Sequence, residues 1–308
     1  MYFYKINTSA DRNMRVLFNR KFLLHNAETE AEGAYRIKSF EGTSDDEDFD
    51  GEPFITLVHT PQYMEIIKLA CRKRELLAEV KLTPESYEAA KSAIGLTIMA
   101  SIQGDFAVVR PPGHHAGRER AAGFCLFNNI AIAAQRLVNE GKRVLIFDFD
   151  GHHGDGTQSI FYDSDQVFYA STHQAFAYPF TGFANETGVG KGEGYTMNIP
   201  MISGNGDKEF LDALAKIISA GQKFCPDVVG ISAGFDAYFK DRLLGLKLTQ
   251  KGYYECGFRL RRAFKNIFAV LEGGYHEEIR ECVNAFIDGV NVGSRPIKNR
   301  FNEEMSVG

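Results

Sequence analysis

At 308 residues the chain is near the upper limit for one hydrophobic core, and 44% apolar against 24% charged residues excludes a disordered chain. A formal net charge of −5 argues against general nucleic-acid binding, which needs a basic surface, yet leaves room for a basic substrate. No apolar run reaches the roughly 18 residues of a membrane span, so no membrane segment is expected. Residues 1–12 show no basic flank followed by an apolar stretch, so no signal peptide is expected either. Cys71, Cys125, Cys225, Cys256 and Cys282 are scattered without C-x-x-C spacing. They fit buried thiols in a reducing, cytoplasmic setting better than a disulfide framework or a thiolate metal site.

In chain order, residues 43–50 come first, with five acids in eight positions, and read as a solvated surface loop. Residues 84–102 read as a helix with Thr83 as cap, Pro84 at the first position and Glu85 in the first turn. Residues 106–109 are a buried strand, 128–139 a helix, and 144–149 and 167–171 are strands. Then follow a helix over 207–224, a strand over 228–232, a helix over 249–265 opened by Thr249, a strand over 267–271 and a helix over 277–290. Residues 294–308 are polar and aperiodic and read as a loose tail. Strand–helix alternation repeated this often predicts the α/β class. The expectation is one domain over 1–293, a central, mostly parallel sheet with helices on both faces.

Polar clusters attach to the carboxyl ends of these strands, at residues 110–115, 148–155, 171–173, 236 and 275. In open α/β sheets ligands bind at that edge. Residues 147–156, FDFDGHHGDG, hold three carboxylates and two imidazoles. Asp148 and Asp150 alternate onto one face, as His152 would if the chain stays extended. Carboxylates gathered at a buried strand end need a cation or hydrogen bonds. Mixed Asp/His ligation suits Zn²⁺ with about three protein ligands, and Asp236 is the best remote third. A solvated Asp/Gly turn is the plain alternative, and the strongly apolar strand before the cluster weighs against it. His114 and His115 sit side by side after Pro111, Pro112 and Gly113. Asp148 and Asp155 can each accept an N–H from one imidazole and fix its tautomer. Tyr275 follows the last strand, where its phenol is placed either to donate to an oxyanion or simply to pack in a turn.

These residues resemble the zinc-dependent histone deacetylase superfamily, which includes acetylpolyamine amidohydrolases and acetoin-utilisation proteins. The resemblance rests on HTPQYM at His59, RPPGHHA at Arg110, GFCLFNN at Gly123, DFDGHHGDGT at Asp148, STHQ at Ser171, YPFTG at Tyr178, GISAGFDA at Gly230 and LEGGY at Leu271. It runs from about His25 to about Val292, and the LEGGY form is similar to the class II branch. It implies an arginase/deacetylase-like fold and hydrolysis of an N-acetyl amide, on acetyl-lysine or a small acetylated amine. It further implies one zinc on Asp150, His152 and Asp236, with His114 paired to Asp148 and His115 to Asp155. Tyr275 would polarise the carbonyl. Gly123, Phe124 and Tyr178 would line a narrow channel, with Leu243 at its rim. A structural K⁺ or Na⁺ is implied near Asp148, Asp150, His152, Ser171 and Thr172, and a second near Phe161, Ser164, Val167 and Tyr195.

Three departures stand out. His276 follows the tyrosine where a small polar residue is common. The acidic insertion at residues 43–50 lies in a rim region and leaves homo-oligomerisation open. Leu243 occupies the position seven beyond Asp236 where some polyamine-selective members place a glutamate, which weakens an acetylpolyamine substrate. A two-metal ureohydrolase needs more carboxylates at the fourth strand than Asp236 alone. A catalytically silent acetyl-lysine binder should lack a ligand, base or tyrosine, and none is lacking.

Overall fold

A computed structural model describes residues 12–295 except 26–28, 30 and 45. Its strands are β1 (Val16–Leu17), β2 (Leu76–Leu77), β3 (Val80–Lys81), β4 (Phe106–Ala107), β5 (Val144–Asp148), β6 (Val167–Gln174), β7 (Thr196–Met201), β8 (Val228–Ala233) and β9 (Ile267–Leu271). Its helices are α1 (Lys21–Leu24), α2 (Tyr35–Lys38), α3 (Pro61–Lys73), α4 (Pro84–Gln103), α5 (Asn129–Asn139), α6 (Asp155–Phe161), α7 (Asp207–Phe224), α8 (Gln250–Ala263) and α9 (Ile279–Gly293). Most of the expected tail, residues 296–308, and residues 1–11 lie outside the described residues.

Seven strands form one sheet in the order β1-β4-β9-β8-β5-β6-β7, and every pairing is parallel. Strands β5, β8 and β9 are buried along their whole length, as expected for strands covered by helices on both faces. From β5 the chain steps outward through β6 to β7; from β8 it steps the other way to β9. The order therefore reverses between the neighbours β5 and β8, where Asp148 lies opposite Ser232. A crevice opens at such a reversal, at the strands' carboxyl ends.

Local sequence accounts for the helices. At the start of α4 the Thr83 N–H donates to Ser86 Oγ (3.0 Å), and the helix stops at Gly104 in the left-handed region (φ 76°). Asn128 caps α5 by accepting from the Ala131 N–H (3.0 Å). The strand predicted over 167–171 extends to Gln174, so Ser171–His173 lie inside β6 rather than beyond its end. The edge strand β7 pairs with this extension; it tolerates Pro200, which cannot donate to a ladder, because only one side is paired. In the acidic segment Asp46, Asp48 and Asp50 are exposed, but the backbone is tied, since Asn19 Nδ2 donates to the Asp46 and Glu47 carbonyls. Asp48 also accepts from Ser92 Oγ (2.9 Å).

Candidate active site

The crevice is floored by the residues that follow β5 and β8. Beyond Asp148 the chain does not stay extended. The His152 N–H donates to Asp150 Oδ1 (2.8 Å), closing an Asx-type turn, and this turn rather than strand alternation brings His152 beside Asp150. Asp236 arrives from the adjacent strand's loop; its Oδ1 accepts the Gly151 N–H (2.5 Å) and its Oδ2 meets His152 Nδ1 (2.6 Å). Asp150 Oδ1 lies 3.3 Å from the same nitrogen. Close approach here demands glycine: a Cβ at Gly234 would run into the Asp150 carboxylate, and one at Gly154 into Asp148 Oδ2. The second imidazole of the 147–156 cluster, His153, turns away to Thr181 (2.8 Å) and Gln158 (3.0 Å).

Donor atoms of Asp150, His152 and Asp236 lie within 4.8 Å of one another. Electrostatics match this cluster to a divalent cation. Asp148, Asp150, Asp236 and Glu272 are four carboxylates with no solvent exposure. Burial and the neighbouring Asp150 push the Asp236 carboxyl up to about 7. Burial opposes a charge on His152, yet Asp236 and Asp150 outweigh it and raise the imidazole to about 10. The three donors form a buried carboxylate–imidazole set of the kind that holds a divalent cation.

Beside this cluster lie two imidazole–carboxylate pairs. His114 Nδ1 is 3.1 Å from Asp148 Oδ2, and His115 Nδ1 is 2.8 Å from Asp155 Oδ1. The two rings are 4.1 Å apart, and their charge states diverge. Burial disfavours the cation on His114, but Asp150 and Asp148 override it and hold its pKa well above the ordinary value. For His115, burial and the adjacent His114 push the pKa down to about 3, so this ring is neutral. Tyr169 donates to Asp148 (3.1 Å), and Arg120 pairs with the outer oxygen of Asp155.

A cavity of about 270 Å³ stands over this floor, lined by Glu79, His115, Gly123, Phe124, His152, Tyr178, Leu243 and Tyr275. All four channel residues singled out from the sequence therefore line one space with His115, His152 and Tyr275. Ser171 and Thr172 sit on β6, with Ser171 opposite Asp148; Ser171 Oγ meets His173 Nδ1, while the buried Thr172 hydroxyl has no protein partner among the described residues. Residues that sequence reasoning left without a role frame the tyrosine. Arg36 donates to the Gly274 and Glu272 carbonyls (2.6 and 2.5 Å), and its guanidinium lies 4.9 Å from the Tyr275 ring centroid. Glu32 bridges Arg36 and Arg110, both buried. Asp241 accepts the Tyr275 N–H (2.7 Å), and His276 Nε2 donates to the Phe235 carbonyl (3.0 Å), so the unusual histidine anchors its loop.

A neutral imidazole, a second imidazole beside it and a phenol thus meet at one cavity next to the acid–histidine cluster. Comparison with known proteins gives the family. A histone deacetylase domain model matches residues 34–290, and the chain belongs to that family of hydrolytic deacetylases, whose members are generally zinc-dependent. It is 36% identical over 289 residues to an Archaeoglobus fulgidus protein named "Probable deacetylase", covering 88% of this chain and 77% of that one. It is 39% identical over 208 residues to the acetylpolyamine amidohydrolase of Mycoplana ramosa, covering 64% of this chain and 61% of that one. The chain spans less than half the length of relatives such as histone deacetylase 10, chloroplastic, from rice, at 41% identity over 203 residues and 62% of this chain. Among solved structures it superposes on the HDA15 HD domain with TM-score 0.85, 32% identity and coverage of 92% and 90% of the two chains. It superposes on an acetylpolyamine aminohydrolase from Burkholderia pseudomallei with TM-score 0.77, 28% identity and coverage of 90% and 98%.

Proposed function

We propose that this chain hydrolyses the N-acetyl amide of an acetyl-lysine side chain or a related acetylated primary amine, with one zinc held by Asp150, His152 and Asp236. Bound there, zinc supplies Lewis acidity, which polarises a carbonyl and lowers the pKa of a water toward about 7. The neutral His115, its Nδ1 engaged by Asp155, offers Nε2 as the base that takes the proton of the attacking water. The same ring returns that proton to the leaving nitrogen as the C–N bond breaks, giving acetate and a free amine. Charged His114, set by Asp148, supports the negative charge that develops nearby, and the Tyr275 phenol donates to the oxyanion. Phe124 and Tyr178 flank the methylene chain, with Gly123 in the wall. A K⁺ or Na⁺ beside Ser171 and Thr172 is part of the same proposal, and the unpartnered Thr172 hydroxyl supports it.

One observation carries this reading: His152 of the acid–histidine cluster, His115 and Tyr275 line one cavity, with Asp150 and Asp236 gathered around His152 and His114 beside them. Acetyl-lysine peptide, acetylspermidine and acetylputrescine, assayed side by side with a chelator control, test it. Chelator-sensitive release of acetate is expected, and no turnover on any of them rejects it. Glu79, a carboxylate in the cavity lining, favours a second reading in which a small acetylated polyamine is the substrate; the apolar Leu243 opposes it. Higher kcat/KM on the peptide separates the two.

A further inference from the structure

Glu272 closes the all-apolar strand β9 and has no solvent exposure. Its Oε2 accepts the N–H groups of Gly113 (2.7 Å) and His114 (3.1 Å), and its Oε1 accepts from Ser232 Oγ (2.9 Å). Its own N–H donates to the Ala233 carbonyl (3.0 Å), and its carbonyl receives Arg36 Nη2. The next residue, Gly273, donates its N–H to Asp150 Oδ2 (2.7 Å). A carboxyl group is tolerated in such surroundings only when its oxygens are satisfied, and the three donors to this one, two backbone N–H groups and one hydroxyl, come from two other segments, the histidine loop and β8. The side chain thus ties the backbone of His114 to the strand end that also carries Gly273 and Tyr275.

His114 Nδ1 and Asp148 Oδ2 are 3.1 Å apart, so a loop displacement of about 1 Å takes them outside hydrogen-bonding range. We infer that Glu272 is a positioning residue for the proposed amide hydrolysis, setting the height of the 113–115 loop so that His114 and His115 stay in register with Asp148 and Asp155. This inference rests on the deacetylase reading for its kinetic test only.

Two substitutions separate reach from the carboxyl group. Glu272→Asp keeps the carboxyl group and shortens the arm by one methylene; Glu272→Gln keeps the reach, with its amide oxygen toward Gly113 and His114 and its NH₂ toward Ser232. The inference predicts that Glu272→Asp lowers kcat about tenfold or more, with KM within about twofold and zinc content unchanged, while Glu272→Gln stays within about threefold of wild type. Wild-type kcat in Glu272→Asp, equal losses in both variants, or a loss shared by KM and zinc content overturns it. A second readout does not depend on turnover. In the zinc-free protein the imidazole N–H proton resonances of His114 and His115 should shift in Glu272→Asp and hold in Glu272→Gln; unmoved resonances in both overturn the inference. A wild type inactive on every acetyl amide would reject the function alone and leave this readout standing.

Discussion

Tyr275 reaches the cavity from a glycine turn, with the Phe124 ring 5.9 Å away and the Arg36 guanidinium behind it. Burial lifts its pKa well above the ordinary value, so the phenol stays a neutral donor across the working range. Tyr275→Phe removes the hydroxyl and leaves the packing. Its kcat is expected to fall ~10²–10³-fold with zinc content unchanged; a fall under about threefold would show that the phenol does no work at the oxyanion. At this scale the sequence was informative wherever a polar residue closed a buried strand. Asp148, Asp150, His114 and Asp236 all announce themselves that way. Glu272 carries the same signal at the end of IFAVL, within the tyrosine's motif. Arg36 and Glu32 carry none: Arg36 bonds backbone carbonyls, which a sequence does not mark, and Glu32, besides its near neighbour Arg36, meets Arg110 across a long stretch of chain.

Helix α4 shows what an element owes to its neighbours. Its start is legible at Thr83, Pro84 and Glu85, and it runs one residue past the expected 102 to stop at Gly104. Its interior glycine is explained only by packing: a Cβ at Gly95 would strike the Phe49 carbonyl, where the acidic segment crosses the helix. Glycine in a helix normally costs about 1 kcal/mol relative to alanine, so Gly95→Ala ought to stabilise. Here the collision outweighs propensity, and a lower midpoint in urea unfolding is expected; a higher one would show that the segment yields. Strand β9 and helix α7 have the bounds their periodicity predicts. Strand β7 is not legible because its short, proline-containing sequence TMNIPM has β character only beside β6. Helix α3 starts with the same Thr–Pro signal as α4, at Thr60 and Pro61, within the segment that the family motif HTPQYM covers.

For the molecule as a whole, alternation of strands and helices was enough to place a parallel sheet and its functional edge. It could not place the strand-order reversal between β5 and β8, which depends on long-range pairing. Buried histidines away from the site make the whole fold acid-sensitive. His59 Nδ1 donates to the Arg118 carbonyl (3.0 Å) while its Nε2 accepts the Asn128 N–H (3.0 Å), an arrangement open only to the neutral ring. Burial lowers both His59 and His25 from 6.5 to about 4. The unfolded chain takes up these protons first, so stability falls as pH drops through the window from about 6.5 to 4. Each histidine contributes a slope of about 1.4 kcal/mol per pH unit there. His59→Gln is expected to flatten the dependence of Tm on pH across that window; an unchanged slope would mean that His59 is not neutral in the fold.

Bound zinc per chain, measured on the same samples as acetyl-amide turnover, bears most directly on the proposed chemistry. Wild type should carry about one ion and lose turnover with it on chelation, while Asp236→Ala should carry almost none and be inactive. An Asp236→Ala protein that retains wild-type zinc, or a zinc-free wild type that turns over undiminished, would contradict the assignment of the site.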